Sequence, residues 1–428
     1  MAKSGVASRL AAFRALKDIS GGRHLDDGLR HSGDLAPRDR AFVRLLVTTV
    51  LRRSGQIDIV LDQIMTKRPA GRSRDAIDIL RLGAAQLMFL ETGAHAAVDS
   101  TVELMRAAGF DSMTGLANAV MRRLSREGME ILATTSPEDN LPDWIQQSWS
   151  HHWGQERTRQ TMELAMMPPP LDITPAREPA IWATRLDGVL VDAHTIRRDF
   201  DGDPTQLAGF EDGAWWVQDA AAALPARLFG DIAGRQVVDL CAAPGGKTAQ
   251  LIAAGAQVTA IDTSERRLRI LRRNLQRLNM AAELVQTDGR RYRPKDKVDA
   301  VLIDAPCSAT GTLRRRPDVP AHRIPADIDK LARTQSELLA TAGEWLVPGG
   351  CLIYITCSLQ HEEGEAIIDA YLRRPDSHMM IDPVSPQEAG CFASALTEAG
   401  TLRIVPADFA ALGGVDGFYI ARLKSGRG

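Results

Sequence analysis

The stretch Gln236-Val-Val-Asp-Leu-Cys-Ala-Ala-Pro-Gly-Gly-Lys247 decides the fold of this chain. Its apolar first half predicts a strand, and the small residues, proline and glycines that follow predict a tight loop before a helix that begins near Thr248. Small residues let the backbone approach a ligand closely, and the N–H groups of a helix N-terminus favour an anionic group. The stretch therefore predicts a strand, loop and helix that bind a small, partly anionic ligand.

The spacing of residues around this loop distinguishes among three ligands. A Walker A loop requires glycine five positions before Gly246, and that position is Cys241. The dinucleotide pattern Gly-x-Gly-x-x-Gly does not occur here. The run Val258–Asp262 predicts a second strand that ends in an acid roughly twenty residues after the first, where a carboxylate suits ribose hydroxyls. These features favour S-adenosylmethionine.

Further acids follow the predicted strands of the C-terminal part. The runs Leu284–Asp288 and Ala300–Asp304 also end in aspartate, and Cys351–Thr356 predicts a fifth strand. A single aspartate after a strand is usually a turn former, but several in register favour one ligand crevice at the carboxyl ends of a parallel sheet. Because strands and helices alternate from about residue 231, we predict a doubly wound, Rossmann-like α/β domain with a final antiparallel strand at Gly417–Leu423.

The composition indicates the class of protein and the cellular compartment in which we expect it. The chain has 428 residues, more than one core usually supports, and its 44% hydrophobic content with mixed charge is typical of a globular protein. Its first residues form no apolar signal region, and no run of about eighteen apolar residues occurs, so we expect a cytoplasmic protein without a membrane span. Five cysteines without a Cys-x-x-Cys pair indicate neither a disulfide framework nor a zinc site.

Three parts of the chain differ in pattern. Residues 1–132 show helical periodicity, which predicts an all-α domain of six or seven helices, and residues 133–230 predict linker helices and a small mixed α/β subdomain before the catalytic domain at 231–428. Up to residue 130 there are 20 Lys and Arg against 15 Asp and Glu, whereas the remainder has 32 against 39. A basic helical domain is suited to RNA phosphates, although solvated arginines would give the same count.

One predicted helix, residues 264–279, is unusually rich in arginine. Ser264 is its predicted N-cap. The density of cations leaves two interpretations open, a solvated helix face and a contact with RNA. The arginines are Arg266, Arg267, Arg269, Arg272, Arg273 and Arg277.

Two cysteines follow neighbouring predicted strands. Cys307 lies in Asp304-Ala-Pro-Cys-Ser-Ala-Thr-Gly311, and Cys357 lies in Thr356-Cys-Ser358. Catalytic groups of open α/β sheets collect at the carboxyl ends of the strands, which would place these thiols beside the cofactor. The remaining cysteines lie within or beside apolar runs and are predicted to be small buried hydrophobes; they are Cys241, Cys351 and Cys391.

A thiolate beside S-adenosylmethionine points to methylation of carbon 5 of cytosine. That carbon is too weakly nucleophilic to attack a methylsulfonium, and addition of a thiolate to carbon 6 makes it enamine-like. After methyl transfer, loss of the carbon 5 proton and of the thiolate restores the aromatic ring. Hydrogen bonding to ring nitrogen 3 assists the addition, and Asp304 is the nearest acid by sequence, a role in which it must hold a proton. This chemistry alone leaves both Cys307 and Cys357 open as the nucleophile.

Three motifs resemble those of the RNA 5-methylcytosine methyltransferases of the Sun/NOP/NSUN family. They are Asp239-Leu-Cys-Ala-Ala-Pro-Gly-Gly-Lys247, Asp304-Ala-Pro-Cys-Ser-Ala-Thr-Gly311 and Tyr354-Ile-Thr-Cys-Ser358. The continuation from Ser308 to Asp318 looks like the bacterial RsmB branch, whose members act on 16S ribosomal RNA. The N-terminal part is similar to the NusB-like RNA-binding domain of that branch, around Asp39–Val43, Ile79–Gly83 and Asn118–Arg122.

The resemblance implies roles for particular residues. It implies that Cys357 is the nucleophile and that Cys307 helps to release the product. It also implies that S-adenosylmethionine is held by the side chains of Asp262, Asp288 and Asp304 and by the backbone of the loop Cys241, Ala242, Ala243, Pro244, Gly245, Gly246 and Lys247. The implied activity is that of a 16S rRNA (cytosine-C5)-methyltransferase, which we expect to be monomeric and to need no metal.

Two segments depart from the family pattern, and two rival functions stay open. After Thr-Cys-Ser the family commonly has Pro and then Glu-Glu-Asn, whereas this chain has Leu359-Gln-His-Glu-Glu-Gly364, and Leu171–Pro175 lacks the Arg and Asn often found there. One rival is an RNA-binding or transcription-associated factor with a vestigial methyltransferase fold, which would have no use for both cysteines and Asp304. The other is a small-molecule methyltransferase, which would have no use for a basic helical domain.

Overall fold

The chain divides into two compact units. The structure, a computed structural model, describes residues 4–200 and 202–426. The prediction that the first residues form no signal region therefore falls partly outside the described residues. The first unit comprises Met1–Pro168 and Leu313–Arg323, and the second comprises Pro169–Thr312 and Ile324–Gly428. The boundaries of these two units differ from the predicted domain boundaries. The predicted boundaries stay predictions.

The first unit is helical. Seven α-helices lie in the described residues up to 132, within the predicted number, and two more precede Pro168. No helix in the described ranges has both the length and the apolar character needed to cross a membrane. The helices are α1 (Ser4–Ser20), α2 (Leu25–Gly28), α3 (Pro37–Arg52), α4 (Ser54–Ile64), α5 (Ala76–Phe89), α6 (Ala94–Ala107), α7 (Thr114–Leu132), α8 (Asp143–Trp153) and α9 (Gln155–Ala165).

The core of this unit forms around α5. Most of its residues are buried on several sides, because α1, α3, α6 and α7 all pack against it. Gly83 lies at the closest approach, where a Cβ atom would come within 2.6 Å of the Thr101 Oγ1 and 2.7 Å of the Met121 Sδ. The predicted NusB-like motif Ile79–Gly83 therefore includes a position at which only glycine fits.

A small sheet opens the second unit. Its four strands are antiparallel in the order β2, β3, β1, β4, and a helix, α10 (Pro179–Arg185), follows β1. Arg197 pairs with the fully buried Asp172 through two hydrogen bonds of 2.6 and 2.7 Å. The mixed subdomain predicted here is confirmed. The strands are β1 (Leu171–Pro175), β2 (Val189–Leu190), β3 (Ile196–Arg198) and β4 (Trp215–Val217).

An eight-stranded mixed sheet forms the rest of the second unit. The path of its strands is β10, β12, β9, β8, β5, β6, β7, with β11 paired to β12. Strands β5 to β9 are parallel, and β12 runs antiparallel to β9, as the sequence predicts. The strands are β5 (Gln236–Leu240), β6 (Gln257–Asp262), β7 (Glu283–Gln286), β8 (Val298–Asp304), β9 (Leu346–Thr356), β10 (Met379–Ile381), β11 (Leu402–Ile404) and β12 (Phe418–Ser425).

Helices connect the parallel strands and cover the sheet. Parallel connections need a crossover, and a helix follows β5, β6, β8 and β9 in turn, whereas β7 leads into β8 through a segment without a helix. The helices of this unit are α11 (Ala220–Arg227), α12 (Gly246–Ala253), α13 (Glu265–Arg277), α14 (Pro325–Gly343), α15 (Glu365–Leu372) and α16 (Pro386–Ala389). The fold predicted for this part, a doubly wound α/β domain with a closing antiparallel strand, is confirmed.

The packing around α5 predicts that a methyl group added at Gly83 will destabilise the protein. Gly83→Ala should lower the free energy of unfolding by about 1–3 kcal/mol, because the added methyl overpacks the contact with Thr101 and Met121. The control is Gly115→Ala in α7, where nothing lies within 4 Å of an added Cβ. That control should be neutral or stabilising by up to about 1 kcal/mol, since alanine favours a helix. Chemical denaturation followed by circular dichroism measures both, and equal effects would contradict the proposed packing.

Candidate functional site

The carboxyl ends of four neighbouring strands bring the predicted site residues to one edge of the sheet. In the order β6, β5, β8, β9 these strands are parallel, so their last residues lie side by side. Asp262 ends β6, the loop 241–247 follows β5, Asp304 ends β8, and Cys357 follows β9. The topology places the loop at the centre, where ligands of open α/β sheets bind.

The loop after β5 has a backbone that depends on small residues. Cys241 has a φ of +61° and Gly245 a φ of +107°, the left-handed region that glycine adopts without strain. A Cβ at Gly245 would also come within 3.0 Å of the Leu271 Cγ. Burial raises the pKa of the Cys241 thiol to about 12, so this side chain stays protonated.

A buried carboxyl group lies beneath the loop. Asp239, on β5, is fully buried and accepts a hydrogen bond of 2.6 Å from the hydroxyl of Thr248 on α12. Burial raises the pKa of Asp239 to about 7. The hydrogen bond fixes the first turn of α12 against the strand, and this holds the loop between them in place.

Asp262 is held by the backbone around it. Its carboxylate accepts hydrogen bonds from the N–H of Ser264 at 2.9 Å and from that of Ala243 at 3.3 Å. Arg267 lies 3.4 Å from the same carboxylate and also donates to the Ala243 carbonyl. Each carboxylate oxygen has a second lone pair, so hydroxyl groups of a ligand can still donate to it.

Asp288 lies beyond the end of β7 and is tied to an arginine. The guanidinium of Arg290 contacts both carboxylate oxygens, at 2.6 Å for the shortest contact, and also bonds Glu337. The Arg290 hydrogen bond lowers the pKa of Asp288 below its ordinary value. Asp288 is therefore an ionised acceptor near the edge of the sheet, and its strand is the outermost of the parallel set.

Lys247 and Asp304 form an ion pair at the centre of the site. The Lys247 Nζ lies 2.8 Å from the Asp304 Oδ2, and the lysine side chain is mostly buried whereas the carboxylate is one-third exposed. Burial alone would lower the pKa of Lys247, but the charge of Asp304 and the hydrogen bond to it outweigh this and raise it. Lys247 thus retains its proton in the pair, and the partly exposed carboxyl group of Asp304 faces the crevice.

The two cysteines of the predicted site are in contact. The Cys307 Sγ lies 3.4 Å from the Cys357 Sγ, and both residues are partly exposed. The hydrogen bond to Cys357, together with burial, raises the pKa of Cys307 well above its ordinary value. Cys307 therefore tends to retain its proton, and its sulfur lies within hydrogen-bonding distance of the Cys357 sulfur.

A buried glutamate that the sequence analysis did not single out organises both cysteine loops. Glu363 is fully buried and accepts hydrogen bonds from the backbone N–H of Ser308 at 2.9 Å and from the hydroxyl of Ser358 at 2.6 Å. The Gln335 amide donates to it at 3.0 Å and to the Pro306 carbonyl at 2.9 Å. One carboxylate thus ties the residue after Cys307 to the residue after Cys357.

Backbone contacts also join the two loops. The N–H of Gly311 donates to the Cys357 carbonyl at 3.0 Å, and the N–H of Gly417 donates to the Gly311 carbonyl at 2.8 Å. A Cβ at Gly311 would come within 2.1 Å of the Gly417 carbonyl oxygen, so a side chain cannot be accommodated there. The loop sequence around Cys307 is therefore constrained by packing as well as by chemistry.

The arginines of α13 divide into two groups. Arg277 donates hydrogen bonds to the carbonyls of Phe210 and Trp215, at 2.6 and 3.1 Å, and its guanidinium lies 4.0 Å from the centroid of the Phe210 ring. It belongs to the internal packing of the second unit. The other five arginines predicted on this helix are exposed, but Arg267 contacts Asp262 and Ala243 in the site. Both interpretations stay open for Arg266, Arg269, Arg272 and Arg273.

Comparisons with known proteins assign the two parts of the sequence to two families. Residues 231–424 match the model of the 16S rRNA methyltransferase RsmB/F family. Residues 6–126 match the model of the NusB family. The predicted NusB-like and methyltransferase parts of the fold are thus both confirmed.

Relatives and solved structures cover nearly the whole chain. Ribosomal RNA small subunit methyltransferase B of Xanthomonas campestris is 38% identical over 398 residues, which are 87% of this chain and 89% of that protein. The crystal structure of PH0851 superimposes with a TM-score of 0.77 at 19% identity, covering 99% of this chain and 98% of that one. The structure of NSun6 from Pyrococcus horikoshii with SFG gives a TM-score of 0.57 at 20% identity, covering 67% of this chain and 99% of that one.

The contacts of Glu363 predict the effect of removing its carboxylate. Glu363→Ala should lower the free energy of unfolding by about 3 kcal/mol, because the buried N–H of Ser308 and the amide of Gln335 lose their acceptor. Differential scanning calorimetry measures this loss. Because both loops are released, the reaction of Cys307 and Cys357 with a thiol reagent should also become faster.

The neighbouring glutamate provides the control for this substitution. Glu362 is exposed, so Glu362→Ala should change the free energy of unfolding by no more than about 0.5 kcal/mol. Its thiol reactivity should equal that of the unmodified protein. Equal behaviour of the two variants would show that Glu363 does not hold the loops together.

Proposed function

The chain belongs to the ribosomal RNA small subunit methyltransferase B family, and from this membership we propose that it methylates carbon 5 of a cytosine in 16S rRNA through a covalent adduct on Cys357. It is a methyltransferase of ribosomal RNA that uses S-adenosylmethionine. The observation that carries the finer proposal is the contact of 3.4 Å between the Cys307 and Cys357 sulfur atoms at the carboxyl edge of the sheet.

The site residues fit the proposed cofactor. S-adenosylmethionine, when bound, supplies a methyl group on a positively charged sulfur. The loop 241–247 has the small residues and the left-handed Gly245 that a close approach of the backbone requires. We assign Asp262 and Asp288 to the hydroxyl and amino groups of this ligand and Asp304 to the side of the crevice nearest its methyl group. All three carboxyl groups lie at or just beyond the carboxyl ends of parallel strands, with β6 and β7 on one side of β5 and β8 on the other.

Cys357 is the better nucleophile of the two thiols. Its thiolate adds to carbon 6 of the base, which forms the carbon–sulfur bond and moves the electrons of the carbon 5–carbon 6 double bond into the ring. Cys307 would support this step because its sulfur lies 3.4 Å from the Cys357 sulfur, so its thiol can donate a hydrogen bond to the Cys357 thiolate and stabilise the negative charge there. Carbon 5 then attacks the methyl group, and the carbon–sulfonium bond breaks with its electron pair on the departing sulfur.

The Lys247–Asp304 pair is proposed to act on ring nitrogen 3 of the cytosine. A proton on ring nitrogen 3 would neutralise the charge that the addition places in the ring. From sequence, this role required a protonated Asp304. The structure instead places the protonated Lys247 2.8 Å from Asp304, so we propose that the pair delivers the proton as a unit and takes it back when the ring regains aromaticity.

Release of the product requires a base for the proton on carbon 5, and Cys307 is placed for this role. While Cys357 is a thiolate, the hydrogen bond between the sulfurs is the largest reason for the raised pKa of Cys307. Once Cys357 is bonded to carbon 6 that reason is gone, so the Cys307 proton can leave to solvent. The resulting thiolate takes the carbon 5 proton, the double bond re-forms, and Cys357 leaves as a thiolate.

The position of the target cytosine within a stacked RNA strand explains why RNA-binding elements are needed. The thiolate and the methyl donor act on the ring from its two faces, and neighbouring bases cover those faces in a stacked strand. The cytosine must therefore leave the stack, and contacts with phosphates hold the RNA meanwhile. We propose that the NusB-like helical unit, with its excess of basic residues, supplies such contacts.

Covalent trapping tests the nucleophile. In 16S rRNA that contains 5-fluorocytosine, fluorine replaces the proton on carbon 5, so the adduct cannot be released. With cofactor present, the unmodified protein and Cys307→Ala should give a protein–RNA band on a denaturing gel, and Cys357→Ala should give none. With ordinary RNA, Cys307→Ala alone should accumulate the adduct, because release is blocked.

A third cysteine provides the matched control for this experiment. Cys391 lies outside the site, so Cys391→Ala should form and release the adduct as the unmodified protein does. An adduct in Cys357→Ala that is lost in Cys307→Ala would transfer the nucleophile to Cys307. If the unmodified protein forms no adduct with this RNA, either the covalent mechanism or the choice of RNA is wrong.

The backbone of Gly245 predicts a defect in cofactor binding. Gly245→Ala should weaken the affinity for S-adenosylhomocysteine by about tenfold or more, since the new Cβ is strained at a positive φ and approaches Leu271. Isothermal titration calorimetry measures the affinity. The control is Gly255→Ala at the other end of α12, which has a φ of +86° and a contact of 3.3 Å with Ala233. Equal affinities of the two variants would place the cofactor away from this loop.

A further inference from the structure

Two histidines and an aspartate meet in the first unit, apart from the site described above. His24 precedes α2, whereas Asp318 and His322 lie in the segment Leu313–Arg323, which packs within the helical unit. Asp318 and His322 are four residues apart at either end of a single 3-10 turn. One potential ligand atom from each residue lies within 4.8 Å of the other two.

The separations within this cluster are somewhat longer than those of ligands that share an ion. The His24 Nδ1 and the His322 Nε2 each lie 3.7 Å from the Asp318 Oδ2. This is too long for a hydrogen bond. Two ligands that each lie about 2.0–2.1 Å from a tetrahedral zinc ion are roughly 3.3 Å apart, so a small contraction would complete the geometry.

The cluster also contains buried polar atoms whose bonding capacity is unused. The Asp318 side chain is 1% exposed, and its Oδ2 accepts one hydrogen bond of 3.1 Å from the Leu25 N–H. Within the described ranges, its Oδ1 and the His322 Nε2 are buried without a hydrogen-bond partner. Leaving such buried atoms without a partner destabilises the folded state. The two atoms are on the two residues that would form the inner side of an ion site.

We propose that His24, Asp318 and His322 bind a divalent transition-metal ion, with zinc as the first candidate. Two imidazole nitrogens and a carboxylate oxygen suit zinc, cobalt or nickel better than magnesium or calcium. His24 is exposed, so the fourth position faces solvent. Arg316, whose guanidinium lies 3.4 Å from the His24 Nδ1, would move off that nitrogen.

Such an ion would have a structural role. It would link the segment Leu313–Arg323 to the residues between α1 and α2, which are distant in sequence and are joined at this point by the bond from Leu25 to Asp318. The proposal does not depend on the chemistry at Cys357. A water molecule that bridges the same atoms is the alternative, and a metal titration separates the two.

Cobalt titration of the full-length chain, purified without a histidine tag and treated with a chelator, tests the site. The unmodified protein should bind one equivalent of cobalt, with weak visible d–d absorption and no thiolate-to-metal charge-transfer band. His24→Ala, which changes an exposed side chain, and Asp318→Asn should weaken binding of both cobalt and zinc by about 100-fold or more. Zinc should raise the melting temperature of the unmodified protein but not of His24→Ala.

Two controls make the result specific. His95 is 98% exposed in the same unit, and His95→Ala should bind cobalt as the unmodified protein does. The double variant Cys307→Ser/Cys357→Ser should also retain the ion, because the paired thiols are a competing zinc site. The proposal is overturned if the unmodified protein retains no ion, if His24→Ala and Asp318→Asn bind it normally, or if binding depends on the two cysteines.

Discussion

The buried carboxylate of Glu363 holds together the two loops on which the chemistry of this protein depends. Strands β8 and β9 end side by side, but adjacent strand ends alone would leave the loops after them free to diverge. The carboxylate accepts hydrogen bonds from both Ser308 and Ser358, the residues that follow the two cysteines. Because an unpaired acceptor inside the protein would be costly, the loops close around it, and the sulfur atoms meet as a result.

That closure makes two identical functional groups unequal. The contact between the two sulfur atoms and the burial of Cys307 raise the pKa of Cys307, so this thiol is the one that keeps its proton more readily. The neighbouring Lys247–Asp304 pair repeats the arrangement with an amine and an acid. The site thus contains two proton-sharing pairs at one sheet edge, and each can change its state while the total charge changes little.

The sequence predicts those parts of the site that follow from local patterns. Apolar runs that end in Asp262 or Asp304 reveal strand ends, and the parallel order brings them together whatever the rest of the chain does. Contacts between distant positions carry no such signal. Glu363 lies in a segment that departs from the family pattern, and the sequence gives no sign of its role. That role depends on Gln335 and Ser308, which no sequence spacing connects to it.

The same limit applies to charge and to metal ligands. Six arginines on one helix predict a basic face, but Arg277 bonds two carbonyls of an earlier segment, which only the folded chain reveals. The cysteine count gave no reason to expect a metal. The proposed ion site uses histidines and an aspartate from opposite ends of the sequence, and its ligands become visible only once the segment Leu313–Arg323 has its place in the helical unit.

That placement has a consequence for how the protein is made. Leu313–Arg323 supplies Asp318 to the backbone of Leu25 and a carbonyl to Arg52, so the helical unit lacks part of its structure until residue 323 has left the ribosome. By then strands β5 to β8 have already been synthesised. The N-terminal unit therefore cannot be completed before a large part of the second unit has been synthesised.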